Sequence, residues 1–175
     1  MTRKIISWLT PVLAAMVLGG CDEGPASVSH FDRGAVWSTF AESVKEGPAL
    51  VRIHGDPFSG SRDFLVSTVL KAMGQAIQKR KTRFTTDPKS APRPDYRVVL
   101  AFNPPVSLDG RRLCQGDKPA SAMEEGKINI LAAFCVKAEL YSEVTGWVRN
   151  VEAPDSERFG KLISQVTRDL LDRGD

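Results

Sequence analysis

The densest group of side chains suited to chemistry lies in the segment HGDPFSGSR, residues 54–62. Gly55 and Gly60 have the G-x-x-x-x-G spacing of a phosphate-binding loop, and the segment joins a predicted strand to a predicted helix, as that motif requires. The motif continues with Lys and then Ser or Thr, whereas this chain continues with Ser61 and Arg62. Because the lysine contacts the β- and γ-phosphates, its absence argues against nucleotide hydrolysis.

A weaker anion-binding role is compatible with the same loop. The N-terminus of a helix favours negative charge, and nearby hydroxyl and guanidinium groups add hydrogen-bond donors. The sequence supplies three such side chains: Ser59, Ser61 and Arg62. The preferred alternative is an ordinary strand-to-helix turn in which Ser61 caps the helix.

His54, Asp56 and Ser59 carry the groups of a hydrolytic trio within six residues. The nucleophile, base and orienting group of such a trio normally come from separate elements, so this arrangement is poorly placed for catalysis. The second histidine of the chain, His30, falls in a predicted tether. We therefore predict that the protein is not an enzyme and uses no cofactor or metal ion.

The N-terminus has the layout of a secretory signal. Two cations in the first four residues precede an apolar run over 5–18, which is shorter than the roughly 20 residues of a membrane-spanning helix. The run ends in Leu18-Gly19-Gly20-Cys21, which resembles the lipobox of bacterial lipoproteins over the first 21 residues. The resemblance implies that residues 1–20 are a cleaved signal peptide and that Cys21 is the lipidated first residue of the mature chain.

The same resemblance implies an address in the cell envelope. Several acyl chains on Cys21 would anchor the protein stably, at about 0.8 kcal/mol per buried CH₂, with the folded domain in the periplasm. Asp22 is similar to the inner-membrane retention signal of enteric-type bacteria, so the inner membrane is slightly favoured and the outer membrane stays open.

Composition excludes nucleic acid as a partner. Without residues 1–20 the 175-residue chain keeps 155 residues, the size of one domain, and 22 cations against 21 anions. A net charge this close to neutral gives no electrostatic case for nucleic-acid binding. The cations concentrated at 79–83 are interpreted as a helix C-terminus, with a patch for anionic lipid headgroups as the alternative.

With Cys21 lipidated, Cys114 and Cys135 form an even pair in an oxidising compartment, and we predict a disulfide between them. The bridge would close a loop of about 20 residues and contribute about 3 kcal/mol in the chain-entropy model. A metal site is the rival interpretation, but two isolated cysteines without a nearby histidine are a poor zinc set.

Hydrophobic periodicity predicts three helices and four strands. The helices are expected within 33–47, 61–81 and 154–173, and the strands within 49–54, 96–105, 128–137 and 138–151. Residues 21–33 are small and polar and are predicted to be a lipidated tether. Residues 34–175 are predicted to form a single α+β domain, a two-layer sandwich of about four mostly antiparallel strands with helices on one face.

The two faces of this sheet are both apolar. The helices are expected to cover one face, on which the alternation places Leu140, Val144 and Val148. The other face includes Tyr141 and Trp147, and we expect the 103–127 excursion to cover it, fastened by Cys114. The alternative is that Tyr141 and Trp147 dock a partner, because exposed aromatic patches often mark interaction sites.

The chain as a whole is similar to small envelope lipoproteins that have no assigned activity. We therefore predict a non-catalytic, lipid-anchored periplasmic accessory or assembly protein that binds another cell-envelope component. The alternative is a small-ligand or anion-binding protein, conceivably a hydrolase, that uses the loop over 54–62.

Overall fold

The computed structural model describes residues 23–79, 81–120 and 126–172. Within these ranges the chain forms six strands and four helices, in the order β1 (Ala26–Asp32), α1 (Val36–Ser43), β2 (Ala49–His54), α2 (Arg62–Ala76), β3 (Phe84–Thr85), β4 (Tyr96–Phe102), α3 (Gly110–Gln115), β5 (Lys127–Val136), β6 (Glu139–Arg149) and α4 (Glu157–Leu171). The predicted signal peptide over 1–20, the lipidation site Cys21 and the sorting residue Asp22 lie outside the described residues.

All six strands belong to one mixed sheet in the order β1-β6-β5-β4-β2-β3. Strand β2 runs parallel to both β3 and β4, and the other neighbouring pairs are antiparallel. The α+β class is confirmed, whereas the prediction of about four mostly antiparallel strands is wrong. The two additional strands, β1 and β3, form the edges of the sheet.

Strand β1 corrects the predicted tether, because Ala26–Asp32 pairs along β6. A bulge at His30 leaves that residue without a register partner, so Val28 and Phe31 lie on the same face although they are three residues apart. The bulge breaks the alternation by which a strand is recognised, and no residue of β1 is fully buried. For these two reasons, hydrophobic periodicity did not predict the strand.

Helices α1, α2 and α4 pack on one face of the sheet and enclose the main core. Helix α2 buries Leu65, Val69, Ala72, Met73 and Ala76, whereas Val66 and Leu70 are half-buried. The helix ends at Ala76, so the predicted assignment of the 79–83 cations to its last turn is wrong. Lys79 instead pairs with Asp172 at 2.7 Å and lies 5.3 Å from the ring centre of Trp37.

The short helix α3 lies on the opposite face, which corrects the prediction that all helices share one face. Leu113 and Cys114 pack there against a smaller apolar cluster that includes Val99, Ala101, Leu131 and Ala133. The disulfide between Cys114 and Cys135 is confirmed, and both cysteines are buried. Residues of the 103–127 excursion therefore cover this cluster, whereas Trp147 on the same face stays half-buried beside a depression.

A second bulge changes which residues of β6 share a face. Phe134 pairs with Ser142 and Cys135 pairs with Leu140, so Tyr141 is left between register positions. Leu140 consequently joins the α3-side cluster, whereas Tyr141 packs against the helix-side core. The predicted faces of Leu140 and Tyr141 are therefore wrong, because a bulge inverts the alternation beyond it.

Candidate functional site: a basic cleft beside helix α3

A cleft of about 540 Å³ opens along β2, between the start of α2 and the segment that follows α3, and its polar lining is dominated by basic side chains. Four basic residues from three segments of the chain line it: Arg52 and His54 of β2, Arg62 at the start of α2, and Lys118 after α3. Apolar side chains complete the wall, among them Val66 and Leu113. We call this site the basic cleft.

Local structure explains why these residues meet. The alternation of β2 directs Val51 and Ile53 to the helix-side core and therefore directs Arg52 and His54 to the α3 side. The buried disulfide fixes Cys114 to β5, and Lys118 follows four residues later. The bridge thus brings a cation from a distant segment next to β2.

The positive charge of the cleft is not neutralised by the described part of the chain. Arg52, Arg62 and Lys118 form no ion pair with any residue of 23–79, 81–120 or 126–172. Burial, and then the charges of Arg52, Arg62 and Lys118, lower the pKa of His54 below its usual range. Burial is the larger cause of this lowering, and the three cations add to it.

Arg62 also shapes the loop that leads into α2. Its guanidinium donates to the carbonyl oxygen of Ile53 at 2.6 Å and to that of Gly55. Arg62 is therefore the one predicted anion-binding residue that lines the cleft. Ser59 and Ser61 are exposed and lie outside it, and Ser61 occupies the N-cap position without a side-chain cap hydrogen bond.

The loop does not assemble a hydrolytic trio within the described residues. Asp56 Oδ1 accepts from the backbone N–H of Phe58 at 2.9 Å, which forms a local turn rather than a bond to His54. Ser59 is exposed, and no hydrogen bond joins it to His54 or Asp56 in the described part of the chain. His54 faces the basic cleft instead.

A buried arginine supports the cleft from β4. Arg97 is 9% exposed and donates to the carbonyl oxygen of Cys114 at 2.7 Å, which holds α3 on the sheet. Its Nε has no hydrogen-bond partner in the structure. Burial, and then the charge of Arg52, lower the pKa of Arg97. Arg97 therefore contributes further positive charge beside Arg52 while fixing the helix.

A second depression, of about 330 Å³, lies on the β1 and β6 side of α3. Trp147 lines it together with Pro104, Pro105 and the fully exposed Val106. His30 Nε2 lies 2.7 Å from Thr145 Oγ1 in the same depression. We call this site the Trp147 groove.

Tyr141, the other aromatic residue predicted to dock a partner, lies away from this groove. The Arg33 guanidinium carbon lies 4.9 Å from the centre of its ring, and the ring of Phe134 packs edge-on at 6.0 Å. Tyr141 and Trp147 are six residues apart on one strand, roughly 20 Å when extended. The two aromatic residues therefore do not form one docking patch.

Sequence reasoning missed Arg52 and Lys118 as cleft residues. The alternation in β2 already placed Arg52 beside His54, so a usable signal existed for that residue. Lys118 had a weaker signal, because its position follows only from docking α3 through the disulfide. A motif is recognised from residues that are adjacent in the chain, whereas the residues of this cleft come from separate elements.

No protein-family model matches this chain, and no curated protein matches it at a significant level. Between residues 23 and 172, no described helix has the length and apolar character needed to cross a bilayer. The described residues also contain no group of three or more His, Cys, Asp or Glu side chains placed to hold a metal ion.

Proposed function

We propose that this protein is a lipid-anchored, non-catalytic component of the bacterial cell envelope that binds an anionic envelope component in the basic cleft. The observation that carries the proposal is the convergence of Arg52, Arg62 and Lys118 on one cleft without an acidic partner among the described residues. The envelope address follows from the lipobox-like sequence ending at Cys21.

Uncompensated cations in a partly enclosed cleft favour an anion for a simple reason. Like charges held together repel each other, and an anion between them removes that repulsion while accepting hydrogen bonds. A hydrogen bond to a charged group contributes about 1.5–3 kcal/mol, so two or three of them suffice for specific binding of a phosphate- or sulfate-like group. Val66 and Leu113 offer apolar contact to the rest of such a ligand.

The proposal of a non-catalytic role is supported by how the loop side chains are engaged. Asp56 accepts a hydrogen bond from the Phe58 amide, and Ser59 is exposed and outside the cleft lining, which supports a role for neither beside His54. The positive charges that lower the pKa of His54 also disfavour the imidazolium that a general base must become.

Calorimetric titration with sodium sulfate and sodium pyrophosphate at low ionic strength tests the proposed site. We expect saturable binding to the wild-type protein, and about tenfold weaker binding for Arg52→Gln and for Lys118→Gln, because each variant loses one charge-assisted contact. Lys89→Gln is the matched control, since Lys89 is exposed and lies outside the cleft. Equal weakening in all three variants would show nonspecific charge screening and refute the site.

The Trp147 groove favours a second candidate function, the docking of a protein partner. Val106 and Val28 are exposed apolar side chains on the same side of the sheet as Trp147. Under this hypothesis, Trp147→Ala removes an in-cell photo-crosslink formed from position 106, whereas Tyr141→Ala retains it. An unchanged crosslink in Trp147→Ala would exclude docking at this groove.

A further inference from the structure

The way in which the chain enters the domain determines how a lipidated Cys21 would orient it. Arg158 Nη1 donates to Glu23 Oε2 at 2.8 Å, and its Nη2 donates to the carbonyl oxygens of Glu23 and Gly24 at 2.8 and 2.9 Å. The backbone N–H of Arg149 donates to the Glu23 carbonyl at 2.8 Å. The chain is therefore fixed to the domain from Glu23 onward.

The link between Cys21 and this fixed point is very short. Two residue steps separate Cys21 from Glu23, which span at most about 7 Å when fully extended. A free tether over 21–33 would instead have reached roughly 40 Å. A domain held by so short a link cannot reorient freely, so the surface near Glu23 must lie against the membrane.

That surface contains a groove beside the point where the chain enters the domain. A groove of about 880 Å³ runs between α2 and α4, and Pro25, two residues after Glu23, lines its rim. Phe64 on the α2 side of this groove is 45% exposed, so its ring is available for contact with a membrane. We call this site the α2–α4 groove.

The charges around the α2–α4 groove suit a phospholipid surface. Lys71 and Arg168 line it, are exposed, and form no ion pair with any described residue. Lys161 is engaged by Glu157 at 2.6 Å, and the exposed Asp155 lies at the end of the groove near Pro25. An exposed aromatic ring flanked by long cationic side chains is the composition that settles at the headgroup level of a bilayer.

We propose that the α2–α4 groove is the membrane-facing surface of the protein, with Phe64 at the depth of the lipid headgroups and Lys71 and Arg168 against the phosphates. This inference rests on the lipid anchor of the proposed function. The Trp147 ring lies close to Gly24 on the other face of the sheet, so the proposal concerns which of the two faces beside the chain entry meets the bilayer.

Site-directed spin labelling of the full-length protein in vesicles tests this orientation. Phe64→Cys and Val106→Cys variants are purified with their native lipid, labelled with a nitroxide, and reconstituted in phosphatidylethanolamine and phosphatidylglycerol. Both positions are exposed, so the substitutions are compatible with folding, and the buried disulfide does not react with the label. Val106 serves as the control because it lies on the α3 side of the sheet.

We expect the label at 64 to collide mainly with lipid-soluble oxygen and several-fold less with a water-soluble nickel complex than the label at 106. Equal water exposure at both positions, or a lipid-exposed label at 106, would overturn the orientation. Mass spectrometry of the same samples separates this failure from that of the anchor. An unacylated Cys21 would refute both proposals, whereas an acylated Cys21 with a water-exposed label at 64 would refute the orientation alone.

Discussion

The two faces of the sheet are built by different means. Three helices cover one face through a large apolar core, so its stability comes from many buried side chains acting together. The other face is covered by the six-residue helix α3, which is fastened by a disulfide and by the hydrogen bond from Arg97. Because α3 covers only part of that face, it leaves the basic cleft on one side and the Trp147 groove on the other. The contrast indicates that one face maintains the fold and the other is available for binding.

A substitution in the helix-side core should reduce the free energy of unfolding more than any other change considered below. Phe159 is fully buried, with ring centres of Phe58 and Phe102 at 5.1 and 5.8 Å. Phe159→Ala should lower the free energy of unfolding by about 3–5 kcal/mol, measured by urea denaturation. Sulfate affinity of the folded fraction should be unchanged, because Phe159 does not line the basic cleft. A loss below about 1 kcal/mol would contradict the assignment of this face as the source of stability.

Removal of the disulfide tests whether the bridge holds α3 on the opposite face of the sheet. The double variant Cys114→Ser with Cys135→Ser should lose about 3 kcal/mol of stability, because the bridge closes a loop with a sequence separation of 21. It should also bind sulfate more weakly than wild type, since Leu113 and Lys118 lose their fixed position. Counting free thiols in the unfolded, unreduced wild-type protein is the check, and two reactive thiols from this pair would refute the bridge.

Two glycine substitutions of the same type should have opposite signs. A Cβ at Gly146 would lie 2.7 Å from Val166 Cγ2 and 3.0 Å from Leu162 Cδ1, where α4 packs closely on β6. Gly146→Ala should therefore cost about 1–3 kcal/mol through overpacking. A Cβ at Gly160, within α4, meets no atom within 4 Å, so Gly160→Ala should stabilise the helix by up to about 1 kcal/mol. Thermal denaturation of both variants measures the difference, and a shared sign would contradict the packing described.

The smallest effect concerns the pH dependence introduced by His54. Burial and three neighbouring cations lower its pKa in the folded state, so the unfolded chain binds the proton more readily than the folded protein. Stability should accordingly be complete above about pH 6.5 and decline as the pH falls through the range between the unfolded and the folded pKa.

The matched variant for this prediction is His54→Gln, which should show less decline over the same range. Bound sulfate should oppose the decline in the wild-type protein, because its negative charge favours the imidazolium. Sulfate should therefore bind the wild type more tightly as the pH falls, with a smaller dependence in His54→Gln. Identical pH profiles for both proteins would exclude His54 as the titrating group.

Much of the fold was predictable because its main elements carry strong periodicity. Helices α1, α2 and α4 carry the helical spacing of apolar residues, β2 and β6 alternate, and β4 and β5 are recognisable as short apolar runs. Strand β1 was not predicted, because the bulge at His30 interrupts the alternation of the strand. Strand β3 was not predicted, because two residues are too few to show an alternation. The bulge at Tyr141 could not be located from alternation alone, so the faces of Leu140 and Tyr141 were exchanged.

The candidate site was less accessible to sequence reasoning than the fold. The loop over 54–62 attracted attention because its residues are adjacent in the chain, and it contributes only His54 and Arg62 to the basic cleft. Arg52 lies in the cleft because the pleat of β2 directs its side chain there. Lys118 lies in the cleft because the disulfide holds the preceding helix on the sheet. Convergence of this kind depends on tertiary packing, which sequence spacing does not encode directly.

The most direct test of the anion-binding proposal is a nitrogen–proton correlation NMR titration of the wild-type protein with sodium sulfate. The two openings beside α3 are compared in one sample. We expect saturable shifts for the Arg52 and Arg62 side chains and the Gly116 amide, with no shift of the Trp147 indole. Shifts centred on Trp147, or equal shifts at exposed cations such as Lys89, would contradict a specific anion site in the basic cleft.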